Sequence, residues 1–433
     1  MSTGHYTSSP DGDRYIGWVL NRGVDRNSEY IRAEQMKKKL YRPDVIQKVL
    51  GNRSLDLALS TSPQSDFSVV QVQEAKVVPV NFEVLSPQDG TIIEADAVNL
   101  KVQITANPDS DIDWSVTVNN RQILNPSATR GLARTQPSGK SLTFPLLLDP
   151  GENLIRVVAD NSETEKEIQL VINRKVTEEV ATKGVSGDKL LVISVGVDEY
   201  VNLPDHNLRF ASADADAIAK LFVEQEGKNY DEVETIILSD TQGDLATRDN
   251  IVDALDTLSD LGPSDTVILF LAGHGIIEDS DYYFLPRDAT LRSEDRWKKS
   301  TVVAWSEIQR AMQASLGRRI LLVDTCHAES AFNSRLIKDA EDSNIIVMSS
   351  TDSTTLAQEV ASLGHGVFTY ALVSGIEGEA DSFKDGRVTM SELNAFVANA
   401  VPSMTQNAQI PTLSVPGGFQ DFVIASLGTV PSG

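Results

Sequence analysis

The sequence predicts a two-part protein: an all-β sandwich, then a larger α/β domain with a mostly parallel sheet flanked by helices. Between about 78 and 175 the apolar residues fall in short alternating runs separated by turn residues, the period of half-buried strands. Beyond Lys175, continuous apolar runs alternate with segments of helical period, as expected for strands buried on both faces and covered by helices. The composition agrees with both. A chain of 433 residues, 41% hydrophobic and 23% charged, is ordinary for globular protein and long enough for more than one domain.

Residues 1–77 lack the clean periodicity of a complete domain, and "LSTSPQSDFSVVQVQEAK" at their end reads as a connecting segment. Over 78–175 the runs "VNFEVLSP", "AVNLKVQITA", "DWSVTVNN", "LTFPLLLD", "NLIRVVADN" and "EIQLVINRK" are separated by turn residues such as Pro87, Asp89, Gly90, Asn119 and Asn120. That spacing predicts an antiparallel sandwich. It holds no catalytic cluster and reads as a rigid spacer or docking module. Farther on, "KLLVISVGV", "TVILFLAGHG", "RRILLVDTC" and "NIIVMSS" read as parallel strands. Helices are expected at Leu208–Glu224, Asn250–Leu261, Trp305–Leu316, Val367–Ile376 and Met390–Val401. In such sheets reactive groups gather at the carboxyl ends of the strands.

The net charge of −24 argues against a nucleic-acid partner, since phosphate binding needs clustered Lys and Arg. Residues 1–76 carry 11 Lys+Arg against 9 Asp+Glu, and residues 77–433 carry 27 against 53. An acidic body of that kind draws basic ligands, although a solvated acidic surface has the same composition. No basic start followed by an apolar run opens the sequence, and nowhere do eighteen uncharged apolar residues run together. Neither a signal peptide nor a membrane span is expected. The single cysteine, Cys326, excludes an internal disulfide, and with His5, His206, His274, His327 and His365 it shows no zinc-ligand spacing. A reducing, cytoplasmic compartment is expected.

Cys326 follows the apolar run in "LLVDTCHAES". A lone cysteine there is either a buried small hydrophobe or a nucleophile. The strand "VILFLAGHG" delivers His274 between two glycines, so both side chains are expected at one edge of the sheet. An unperturbed thiol, with a pKa of about 8.5, is mostly protonated at neutral pH, and a nearby imidazole activates it. Gly275 would let the backbone approach a scissile carbonyl, and its N–H with that of Cys326 would hold an oxyanion, each donor worth roughly 3–4 kcal/mol in related chemistry.

His-Gly at one strand end and "DTCH" at another, about fifty residues downstream, resemble the caspase-like peptidases, and "DTCH" resembles the metacaspases and their bacterial relatives, the orthocaspases. The resemblance spans about 186–427 and takes in "VGVDEY", "SADADAIAKLF", "YYFLPRDA" and "IPTLS". It implies a caspase-like fold, a cysteine endopeptidase activity, Cys326 as nucleophile and His274 as base. His327 is left to packing, and His206 and His365 are expected at the surface. Two further likenesses lie upstream. "LDPGENLIRVVA" resembles bacterial immunoglobulin-like domains, and "YTSSPDGDRYIGWVLNRG" with "YRPDVIQKVL" resembles the end of a WD-type propeller. The expected organisation is 1–77 as a segment or propeller remnant, 78–175 as an immunoglobulin-like sandwich and 186–427 as the peptidase. A catalytically silent caspase-like scaffold, or a cysteine hydrolase acting on something other than peptides, remains an alternative.

Metacaspase-like enzymes place acids at the floor of the pocket that takes Arg or Lys, and the resemblance assigns this role to Asp324 and Asp214, with Asp352 a third candidate. Carboxylates there would hold a guanidinium and repel an acidic side chain. Polypeptides with Arg or Lys before the cleaved bond are the expected partners, and the N-terminal segment or the sandwich is the expected surface for a protein partner. After "DTCH" the family usually continues Ser-Gly, whereas Ala328 and Glu329 follow here. No cofactor is expected and calcium is disfavoured. Trp305 and Ser306 replace the acidic pair that binds it in many metacaspases, and Phe383 takes the third position of the EF-hand-like "DSFKDGRVTMSE". In caspase-like enzymes the connection after the cysteine strand is commonly cut. Here "AESAFNSRLIKDAEDSN" offers Arg335 and Lys338, the alternative being an uncut surface loop.

Overall fold

The structure is a computed structural model. It describes the chain except residues 1–4, 9–11, 21–28, 37–39, 55–56, 58–79, 96, 107–111, 125–140, 150, 162–163, 176–188, 279–280, 294–295, 327–338, 342, 351–358, 361–363, 417–418 and 429–433. Two compact units emerge, one of residues 1–118 with 123–176 and the other of residues 119–122 with 177–433.

The first unit is rich in sheet. Ala97–Ala106 pairs antiparallel with Asn81–Ser86 on one side and Ser141–Leu147 on the other. In a second sheet Gly151–Asp160 runs between Glu165–Arg174 and Asp113–Val118, antiparallel to both. Alternation decides what is buried: Ile155, Val157 and Ala159 on one strand are fully excluded from water, and they share a core with Trp114, Phe82 and Leu100. Nearer the N-terminus, Gly17–Leu20 pairs with Glu29–Arg32, and helix Pro43–Asn52 follows. Tyr6, Ile31, Ala33, Met36 and Leu40 close a small cluster of their own, packing that sequence periodicity alone did not reveal.

In the second unit the main sheet contains β1 (Lys189–Gly196), β2 (Glu232–Leu238), β3 (Thr266–Glu278), β4 (Asp281–Phe284), β5 (Arg318–Cys326), β6 (Ile346–Ser349) and β7 (Thr412–Ser414). The order is β2-β1-β3-β5-β6-β7, parallel except for β7. The helices are α1 (Ala211–Val223), α2 (Arg248–Asp256), α3 (Trp305–Ala314), α4 (Val367–Ser374) and α5 (Met390–Met404). Leu191, Ile193 and Val195 of β1 share a core with α2 and α3, while Leu190 and Val192 share the opposite one with α1, α4 and α5. Both faces are covered, which is why these strands read as unbroken apolar runs.

The expected helices are present with altered ends. The Asn250–Leu261 expectation resolves into α2 and a 3-10 turn, Thr257–Asp260; α2 begins earlier because the Thr247 hydroxyl accepts from the Asn250 N–H. α4 gives way to a π turn, Gly375–Glu379, in which Gly378 has φ of 128°. Among the described residues, no helix is long and apolar enough to cross a membrane.

Candidate active site

β3 lies beside β5 and the two strands stay in parallel register from Thr266 opposite Arg318 to His274 opposite Cys326. The backbones of the two residues singled out by sequence are thus partners on the last rung of this pair. β3 does not end at His274, as its apolar run implied. It continues to Glu278 and turns back, Gly275 pairing with Phe284 of β4 and Glu278 with Asp281.

His274 is held from several directions. Its N–H donates to the Tyr200 hydroxyl at 2.8 Å, and its carbonyl accepts from the Leu285 N–H at 2.9 Å. The Tyr200 ring lies 5.0 Å from the imidazole, centroid to centroid. Ring atom Nε2 is 2.7 Å from the His206 carbonyl oxygen. A carbonyl only accepts, so Nε2 carries hydrogen and, in the neutral ring, Nδ1 carries the lone pair. His206 is exposed, as expected, yet its carbonyl sets this tautomer. Gly275 is buried, and a Cβ added to it would lie 2.5 Å from the Tyr282 ring. The missing side chain therefore makes room for an aromatic neighbour.

Asp214 in the first turn of α1 and Asp324 on β5 are buried, with 3% and 8% of their surface exposed. They converge on Gly366, where a Cβ would come within 2.8 Å of Asp324 Oδ2 and 3.0 Å of Asp214 Oδ2. A side chain at this position would have to push both carboxylates aside. The Gly366 N–H lies 3.2 and 3.1 Å from the two oxygens of Asp214, His365 Nδ1 lies 2.8 Å from Asp214 Oδ1, and the Thr369 hydroxyl donates to Asp324 Oδ2 at 2.8 Å. Burial pushes Asp214 up to about 7; the His365 hydrogen bond opposes this and the Asp324 charge adds to it. The bond to Asp214 in turn raises His365 above the ordinary imidazole value.

This corrects the expectation for His365, which is not a surface bystander: Asp214 draws its ring toward the buried pair. Asp216, two residues along α1, serves different partners, the Ser239 and Thr241 hydroxyls. Tyr200, His365, Gly366 and Thr369 were not singled out as site residues by sequence. Their local signals are the end of "VGVDEY" and a Gly directly before the apolar helix in "HGVFT".

Loops at this edge are tied together. Asp198 accepts from the N–H groups of Ala211 and Ser212, which anchors the start of α1 and so the position of Asp214. Asp240 accepts from the N–H groups of Asp198 and Glu199, and Arg287 pairs with both Asp240 and Glu199.

At the first place weighed for calcium, Trp305 is buried at the start of α3. In the second, 381–392, Asp381 accepts from the N–H groups of Asp385 and Gly386, while Glu392 accepts from those of Ser382, Phe383 and Thr389. Phe383 is 79% exposed. Asp352, His327, Ala328, Glu329, Arg335 and Lys338 lie outside the described residues.

A family model, Peptidase_C14, described as a caspase domain, matches residues 189–422, more than half of the chain. The chain belongs to this caspase-domain family of cysteine peptidases. No curated protein matches it. Among solved structures it is similar to an engineered protein (9% identity, TM-score 0.16, 22% of this chain and 20% of that one). Others are the endo-beta-1,4-mannanase from Thermotoga petrophila (13%, 0.18, 37% and 30%) and domains 4 and 5 of the S-layer protein SbsC (13%, 0.17, 23% and 54%). The chain spans between a fifth and about half the length of these structures.

Proposed function

We propose that the chain is a cysteine endopeptidase of the metacaspase and orthocaspase type, cutting after Arg or Lys with Cys326 as nucleophile and His274 as base. The reading rests on the register that pairs His274 with Cys326, and on the convergence of Asp214 with Asp324, the latter two residues before the cysteine. His274 Nδ1 takes the thiol proton, and the thiolate attacks the scissile carbonyl carbon. The N–H groups of Gly275 and Cys326 hold the resulting oxyanion. The imidazolium then protonates the leaving amine, and water hydrolyses the thioester to release the acid and restore the thiol. Asp214 and Asp324, with Asp352 as a third acid, receive the basic side chain through charge-assisted hydrogen bonds.

In this reading 186–427 is the peptidase, 78–175 an immunoglobulin-like spacer or docking module and 1–77 a segment related to a propeller end. The enzyme works on polypeptides in a reducing, cytoplasmic compartment, without nucleic acid, membrane or cofactor. A protein partner binds through the N-terminal segment or the sandwich. Activity survives a chelator such as EGTA, and a calcium-reversible loss would overturn that point. The loop after the cysteine strand is either left uncut or cleaved by the enzyme itself; if it is cleaved, the fragments end at Arg335 or Lys338 and are missing from Cys326→Ala protein, as mass spectrometry of both proteins will read. The deciding experiment is hydrolysis of fluorogenic peptides ending in Arg, Lys or Asp by the wild type and by Cys326→Ala. Cleavage after Arg and Lys by the wild type alone is expected. A preference for Asp would sink the pocket, and no hydrolysis of any peptide would favour the silent scaffold.

A further inference from the structure

Burying two carboxylates side by side is costly, because each loses its water and each repels the other. Such a pair tends to share one proton and so present one charge in place of two. Asp214 and Asp324 are in this position, their Oδ2 atoms turned on the same point beside Gly366. Asp214 receives the Gly366 N–H, a neutral donor, and His365 Nδ1. Among the described residues, His365 is the one basic side chain in hydrogen-bond reach of Asp214. Its side chain is 29% exposed where that of Asp214 is 4% exposed, so the imidazole can take a proton from water that the carboxylate cannot reach as readily.

We propose that His365 is a positioning residue of the basic-side-chain pocket. Through Nδ1 it favours the ionised form of Asp214 and leaves its second oxygen turned toward Asp324, so that a guanidinium or ammonium meets both carboxyl groups. The inference rests on reading Asp214 and Asp324 as that pocket. An imidazole suits the task because Nδ1–H donates whether the ring is neutral or cationic, while Nε2 gains or loses the second proton. The titratable groups that face it among the described side chains are Asp214 from α1 and Asp324 from β5, and its own backbone pairs with that of Val360. The direction of titration agrees: burial raises Asp214 and the bond from His365 pulls it back. Without the imidazole Asp214 holds its proton to higher pH, and cation capture moves with it.

The test alkylates the single cysteine with two reagents, a peptidyl-arginine chloromethyl ketone and iodoacetamide. Each forms a thioether at the thiolate and releases its halide, so ionisation of the thiol cancels in the ratio of their rates. Only the first needs the pocket. The ratio is measured from about pH 5 to about pH 9 for wild type, His365→Gln and His365→Ala. It rises with pH in the wild type. Its midpoint moves up by about one unit or more in the Ala variant, a roughly tenfold loss at pH 7, and by less in the Gln variant, whose amide still donates. In peptide hydrolysis the loss falls on KM and is recovered at alkaline pH.

A common midpoint in all three proteins overturns the inference. Should the Ala variant fail a thermal-melt check, the wild type and Gln proteins decide it alone. If the wild type reacts no faster with the arginine reagent than with its alanine analogue, the pocket reading falls, and this inference with it. If that preference is present and lost in Asp214→Asn, while the His365 variants keep the wild-type midpoint, only the role of His365 falls.

Discussion

The two halves of the candidate site are assembled by different means. His274 and Cys326 are brought together by one rung of a parallel ladder, so strand pairing alone sets their backbone spacing. The acid pair is drawn from α1, β5 and the residues leading into α4, with Asp214 held by His365 and Gly366 and Asp324 by Thr369. Segment 381–392 sharpens the contrast. Burial pushes Glu392 up, yet hydrogen bonds from Thr389, Ser382 and Phe383 outweigh it and hold the carboxyl below its usual range. Asp214, with fewer donors and a second carboxylate alongside, goes the other way. Depth of burial, donor supply and neighbouring charge together decide whether such a carboxylate stays charged.

The largest expected effect falls on the rung. Cys326→Ala and His274→Ala each lower kcat/KM by about 10⁴-fold or more, and the double variant loses little further, because the two residues act as a unit. Peptide hydrolysis with a circular-dichroism check on folding measures this, and a His274→Ala enzyme within tenfold of wild type would break the pairing argument. The pocket comes next. Asp324→Ala costs about 100-fold in kcat/KM for Arg and Lys peptides, in line with the roughly 2–5 kcal/mol lost when a buried charge partner is removed. Equal turnover before and after the substitution would remove Asp324 from substrate recognition.

A smaller effect separates the halves. Tyr200→Phe takes away the acceptor of the His274 N–H, a partly buried donor, and leaving such a group unsatisfied costs at most about 1–3 kcal/mol. A roughly tenfold fall in kcat is expected with the Arg-to-Lys preference unchanged; a changed preference would show that the halves are coupled.

The smallest effect is on stability. Asp214 titrates at about 7 in the fold against an ordinary 3.8. Its contribution is therefore complete below about pH 4 and lost as pH rises through about 7. His365, also raised, contributes below its ordinary value and loses that contribution as pH rises through its folded one, so both act in the same direction. The wild-type melting temperature should fall between about pH 5 and about pH 8, by about 2–4 °C per kcal/mol lost. Asp214→Asn should flatten that slope, and an unchanged slope would show that Asp214 is not the group responsible.

Much of this was legible in the sequence because it depends on local periodicity. The unbroken runs around Leu191, Phe270 and Leu322 announced strands buried on both faces, and two of those runs led to His274 and Cys326. Helix ends were less legible, since Thr247 caps α2 through a hydrogen bond and Gly378 bends the chain through its own backbone angles.

By itself the sequence determined which residues can do chemistry, and which strands carry them, because residue type and apolar period belong to the chain before it folds. Tertiary structure alone decided that β3 runs past His274 into a hairpin, that the His206 carbonyl selects its tautomer and that Tyr282 fills the space beside Gly275. It also decided how Asp214 and His365 titrate. Asp214, Asp324 and His365 are far apart in sequence, and the energies that set their protons depend on burial and on distances that exist only after the helices have closed over the sheet.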